Sequence, residues 1–115
     1  MNFIMRLLIS AIVAFGLGYI LPGIHIDQFF TALILAVVLA ILNGILRPIL
    51  IILTLPITFF TLGLFLFVIN AVIILLADRF IDGFKVDGFW WALLFSLLLS
   101  FITSVINKQE KKADR

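Results

Sequence analysis

Apolar residues run almost unbroken from Phe3 to Leu21, and the run resumes at Phe29, at Ile49 and at Phe89. A helix needs about 20 apolar residues to cross the hydrocarbon core of a bilayer. The pattern predicts spans over 3–21, 29–46, 61–80 and 89–106 in a single membrane domain. Ile49–Ala77 is too long for one straight helix and too short for two, so 48–60 is set aside as an extra segment between the second and third spans. The expected fold class is therefore an all-α integral membrane protein of four transmembrane helices.

Composition agrees with this. The chain of 115 residues is 65% hydrophobic and 12% charged, against about half apolar and a quarter charged in soluble domains. There is no cysteine, which excludes a disulfide framework and a thiolate metal site. The early Arg6 and the apolar run after it resemble a signal peptide, but no small-x-small site leads into a polar region, so this stretch is expected to stay as the first span.

Charge sets the expected orientation. Four spans put Arg6, Arg47, Lys108, Lys111, Lys112 and Arg115 on one side, and only Arg79 and Lys85 on the other with Asp27, Asp78, Asp82 and Asp87. Basic residues collect on the cytoplasmic side. Both termini are expected inside the bacterial inner membrane, with a basic tail over 107–115 and outer loops at Pro22–Gln28 and Asp78–Gly88. Tyr19, Phe29, Phe30, Phe89, Trp90 and Trp91 fall at the outer interface as aromatic anchors.

The chain also repeats itself. "GIHIDQFFTAL" (23–33) aligns without a gap with "GFKVDGFWWAL" (83–93), sharing Gly-x-x-x-Asp-x-Phe. The glycines are expected to end helices and the aspartates to cap the next ones. Two tandem parallel helical hairpins follow from the repeat. Ala36, Ala40 and Gly44 align with Ser96, Ser100 and Ser104, and Ser10, Ala14 and Gly18 form a third small-residue stripe. Such stripes let helices approach closely, within one chain or between copies, so a homo-oligomer is an expected partner arrangement.

Between the repeats lies "NGILRPILIILTLPITFFTLG". Pro48 is expected to stop the second helix at Arg47, and Pro56 to end a short interfacial or re-entrant helix; with Gly63 these are the expected breaks. Backbone groups freed in a membrane need partners. Asn43 and Arg47 share a helix face, and with Thr54, Thr58 and Asn70 they are expected to form one polar core.

The ordered motifs Asn-x-x-x-Arg-Pro, Leu-Thr-Leu-Pro, Thr-Leu-Gly-Leu-Phe, Asn-Ala and Gly-Phe-x-Val-x-Gly-Phe-Trp cover Asn43 to Trp90. They resemble the small four-span bacterial family filed as phage holin superfamily IV, the YvlD-like proteins. The resemblance implies a holin-like inner-membrane protein that oligomerises and permeabilises or remodels the bilayer. Alternatives are a chromosomal envelope-stress or membrane-maintenance protein that binds anionic lipid, and a small channel or transporter. The partners expected are the bilayer and acidic lipids, with no nucleic acid and no cofactor. No catalytic or metal site is expected: His25 is the lone histidine, in an outer loop, and the loop acids read as solvated.

Overall fold

A computed structural model describes residues 2–113, without the side chains of 107 and 109–113. Most of the expected tail, from 109 on, thus has no described side chains, and 114–115 lie outside the described residues. The elements are helix α1 (Phe3–Ile20), strand β1 (Ile24–Ile26), helix α2 (Phe29–Ile41), a π-helical turn (Leu42–Leu46), and helices α3 (Arg47–Leu53), α4 (Leu55–Phe60) and α5 (Phe65–Phe80). Strand β2 (Phe84–Val86) and helix α6 (Phe89–Ala113) complete the order. Three helical stretches are long and apolar enough to cross a membrane: Phe3–Ile20, Phe29–Leu53 and Phe89–Ile106. Helix α5 has 16 residues, or about 24 Å at 1.5 Å per residue.

The two loops are not plain loops. Strands β1 and β2 pair antiparallel, with Ile24 opposite Val86, His25 opposite Lys85 and Ile26 opposite Phe84. The all-α expectation missed them. The register is self-consistent with the repeat: His25 faces its own counterpart sixty positions on, and the outer pairs exchange. The flanking bonds match too, Asp27 N–H to Gly83 O at 3.0 Å and Asp87 N–H to Gly23 O at 2.9 Å.

This pairing corrects the capping expectation. Helix α1 ends at Ile20 and is followed by Leu21 in extended conformation, and Gln28 precedes α2 without a side-chain cap bond. Asp27 instead accepts from the hydroxyl of Thr31 at 2.6 Å, and Asp87 lies 3.1 Å from Nε2 of His25. The glycines serve close approach. A Cβ on Gly23 would sit 2.2 Å from the Trp91 indole, and one on Gly83, at φ +92°, would sit 2.5 Å from the Asp27 carboxylate. Trp91 is therefore a packing residue as well as an aromatic near the interface.

Burial follows the repeat. Ala11 and Ala71, Leu17 and Ala77, Ile24 and Phe84, Ala32 and Ala92, and Leu35 and Phe95 are all buried, each pair sixty positions apart. Helix α1 lies along α2, and α5 along α6. Phe84 and Phe95 meet at 5.9 Å between ring centroids and close the core near the strands.

The second helix does not stop at Arg47. Helical backbone is continuous over Phe29–Leu53, 25 residues. The physical reason is the π turn. Arg47 N–H bonds to the carbonyl of Leu42, five residues back, and this wider turn makes room for the Pro48 ring, which in a regular helix collides with the carbonyl four residues earlier. The break comes instead at Thr54 (φ −107°, ψ 14°), after which Pro56 sits in the first turn of α4. Helix α4 closes in a Schellman pattern, Gly63 N–H to Thr58 O at 2.9 Å and Leu62 N–H to Phe59 O at 3.1 Å. Leu62 (φ 55°) takes the left-handed position and Gly63 (φ 90°) follows it. Helix α5 then starts at Phe65 rather than near Phe60–Gly63, its first N–H held by Thr61 Oγ1 at 3.1 Å.

Candidate functional site

Arg47 stands where the π turn gives way to α3 and is half-buried. Its Nη2–H donates to Oδ1 of Asn70 on α5. The extra residue in the π turn rotates everything after it about the helix axis, and such turns recur at functional positions. Here the rotation coincides with the crossing contact from α3 to α5. A cavity of about 40 Å³ adjoins the pair, lined also by Leu39, Asn43, Ser96 and Ser100. At about 10–15 Å³ per water, it has room for about three.

A larger groove of about 400 Å³ lies between α1, α2 and α6. Its polar lining is Arg6, Ser10, Asn43, Ser100 and Thr103, with Phe3, Leu7, Leu35, Leu39 and Leu99 among its apolar walls. The two spaces share Leu39, Asn43, Leu99 and Ser100, so they adjoin. They are also counterparts under the repeat. Ser10, Ala14 and Ala36 line the groove, and Asn70, Ile74 and Ser96, sixty positions on, line the small cavity. The second copy is narrower because Asn70 and Ile74 are bulkier than Ser10 and Ala14, and because Arg47 reaches into it.

The electrostatics are one-sided. Among the described residues, neither space has a carboxylate in its lining. Asp27, Asp78, Asp82 and Asp87 all lie at the strand end: Asp78 accepts from Val86 N–H at 3.1 Å, and Asp87 meets His25. The lining offers guanidinium, amide and hydroxyl groups, a set able to hold water or an anion. Among the described residues, no group of three or more His, Cys, Asp or Glu side chains is placed to hold a metal ion.

The residues read from sequence as one polar core divide into two. Arg47 and Asn70 are bonded, and Asn43 lies beside them on the cavity wall. Thr54 and Thr58 serve the backbone break instead. Thr54 Oγ1 donates to Leu50 O at 2.7 Å and lies 3.4 Å from Thr58 Oγ1, and neither lines the cavity. The reason is local: a threonine at a helix end finds the carbonyl one turn back nearer than any side chain across the bundle.

The small-residue stripes also divide. Ala14, Ala36 and Ser96 are buried, and a Cβ on Gly18 would rest 3.4 Å from Ile26. Ser10, Ala40, Gly44 and Ser100 line the groove, and Ser104 is exposed. Arg6 and Thr103 were missed as site residues. Arg6 was read only for orientation, although its spacing of four from Ser10 puts both on one face of α1.

Relatives include the uncharacterized membrane protein YvlD of Bacillus subtilis (strain 168), 40% identical over 103 residues, covering 89% of this chain and 87% of that protein. A second is the uncharacterized protein SCO3922 of Streptomyces coelicolor (strain ATCC BAA-471 / A3(2) / M145), 38% identical over 85 residues, covering 70% of this chain and 68% of that one. No solved structure matches. Residues 1–105 match the family described as mycobacterial 4 TMS phage holin, superfamily IV, and the chain belongs to that family.

Proposed function

We propose that this holin-family protein is a scaffold of the bacterial inner membrane that remodels the bilayer from its cytoplasmic half, and that one copy does not conduct. The observation that carries the reading is the closed core. Phe84, Phe95, Ile24, Leu35 and Ile73 are fully buried, while the groove and the small cavity beside Arg47 lie on one side of them, toward the end holding the termini. A polar route that stops at a packed apolar layer is a vestibule and not a channel.

In this reading four helices span, α5 being completed by the turn before it, and the halves form two parallel hairpins about an axis near the membrane normal. The antiparallel register of β1 and β2, which sets His25 against its repeat counterpart, supports that symmetry. Both termini are cytoplasmic and the strands outside, a reading that the distribution of basic residues supports. Helix α4 and its turn lie at the cytoplasmic interface. Phe59, Phe60 and Leu62 are 78%, 83% and 93% exposed, so they need lipid to cover them.

A holin-type lesion is the second reading, and it requires a homo-oligomer, since the path must then run between copies. Inducible expression with a membrane-potential dye separates the two. The scaffold reading expects the potential to hold while the protein accumulates. Abrupt collapse at a set time overturns it in favour of the lesion.

A further inference from the structure

The groove between α1, α2 and α6 is graded along its length. From Phe3 to Ala14 it follows α1 for about 16 Å at the helix rise. Arg6, Ser10, Asn43 and Thr103 cluster toward the end with the termini, and Ala14 and Leu35 close the deeper end. A free inorganic ion has no use for the apolar depth, and a purely apolar ligand has no use for the donors at the mouth. The volume of about 400 Å³ falls within the usual range of ligand sites, about 300–1,000 Å³. Charge points the same way. Arg6 lies at the mouth, and behind it Arg47 is half-buried against a neutral amide. Among the described residues, no carboxylate lines either space. A guanidinium at membrane depth favours an anion that can accept its planar fork, as a phosphodiester does.

We propose that this groove binds one acidic phospholipid of the cytoplasmic leaflet, its phosphate held by Arg6 and Asn43 and one acyl chain lying against Leu7, Leu35 and Leu39. The assignment rests on the orientation given under the proposed function, and it gives the scaffold a specific lipid to organise. Arg47 backs the site as a positive charge through the adjoining cavity and is not itself required to touch the phosphate.

The test is lipid retention by the full chain, extracted from nanodiscs of equimolar phosphatidylglycerol and phosphatidylcholine and read by native mass spectrometry. The expected result is one retained phosphatidylglycerol per chain, preferred over phosphatidylcholine by roughly tenfold, the size of one charge-assisted hydrogen bond. Arg6→Gln is exposed and leaves the core intact, and it should abolish the preference. Ala40→Leu should fill the groove and lower retention of both lipids. Arg79→Gln, at the strand end, should change nothing. Equal retention of the two lipids by the wild-type chain overturns the proposal, as does an Arg79→Gln effect equal to that of Arg6→Gln. Displacement of the lipid by inorganic phosphate alone also overturns it, since the site is then one for free anions. Depolarisation of cells with retention intact removes only the scaffold reading, and lost preference with the potential held removes only the lipid site.

Discussion

The contact between Arg47 and Asn70 is the most exposed joint in this account, because among the described residues it alone is a side-chain hydrogen bond across the helices below the strand end. Asn70→Ala removes the acceptor and leaves a half-buried guanidinium facing a cavity of about 40 Å³. A hydrogen bond to a charged group contributes about 1.5–3 kcal/mol in soluble proteins. In bilayers the measured average is nearer 0.6 kcal/mol, with a maximum of about 1.7, because the unfolded chain finds other partners. Arg47 is only half-buried, which argues against the upper figures. A double-mutant cycle of Asn70→Ala and Arg47→Met should therefore give a coupling of about 1 kcal/mol, or about fivefold in the folding equilibrium. The assay is reversible unfolding in mixed micelles followed by the fluorescence of Trp90 and Trp91. Arg47→Lys keeps the charge but loses the fork, so it should retain about half the coupling. A coupling indistinguishable from zero, or wild-type stability in Arg47→Lys beside a failing Arg47→Met, would reduce Arg47 to an interface anchor and remove the joint.

Two further outcomes test the strand end and the orientation. Gly23→Ala places a methyl 2.2 Å from the Trp91 ring and should destabilise by several kcal/mol or block folding, whereas Gly44→Ala meets nothing within 4 Å and should be neutral or mildly stabilising; comparable losses for both would refute the packing described. The native chain has no cysteine, so His25→Cys with Lys85→Cys gives a clean pair whose Cα atoms, directly opposite on antiparallel strands, lie about 5.5 Å apart. Mild oxidation of intact cells should protect that pair from an impermeant maleimide, whereas Lys85→Cys alone should label and Lys112→Cys should not. Labelling at Lys112→Cys inverts the topology.

The helical class and the repeat were legible because each is written many times over: long apolar runs for the first, and a gapless seven-position motif for the second. The strands were not, because three residues each, "IHI" and "FKV", carry too little alternation to outweigh the helices around them. Their glycines and aspartates were read as caps, a local use, when the partner that claims them is sixty positions away. Antiparallel pairing of the two motif copies was the signal that could have found them. Pro48 misled for a related reason: proline forbids a regular helix, but a π turn ahead of it is no regular helix, and nothing in "LNGIL" marks one. Asn70 was singled out because an amide is scarce in so apolar a run, and it meets Arg47. Arg6 was overlooked because near a terminus a basic residue is already accounted for by orientation, and only the groove formed by three helices gives it a second role.

Whether the closed core makes the single chain a scaffold is tested most directly with purified protein in vesicles loaded with a self-quenching dye. The protein-to-lipid ratio is raised in steps from well below one chain per vesicle, and dye release is followed. The account expects no release at low occupancy and only a weak, disordered leak at high occupancy, since Phe84 and Phe95 seal the core against passage. Release that already occurs with one chain per vesicle, in discrete and reproducible steps, would contradict it.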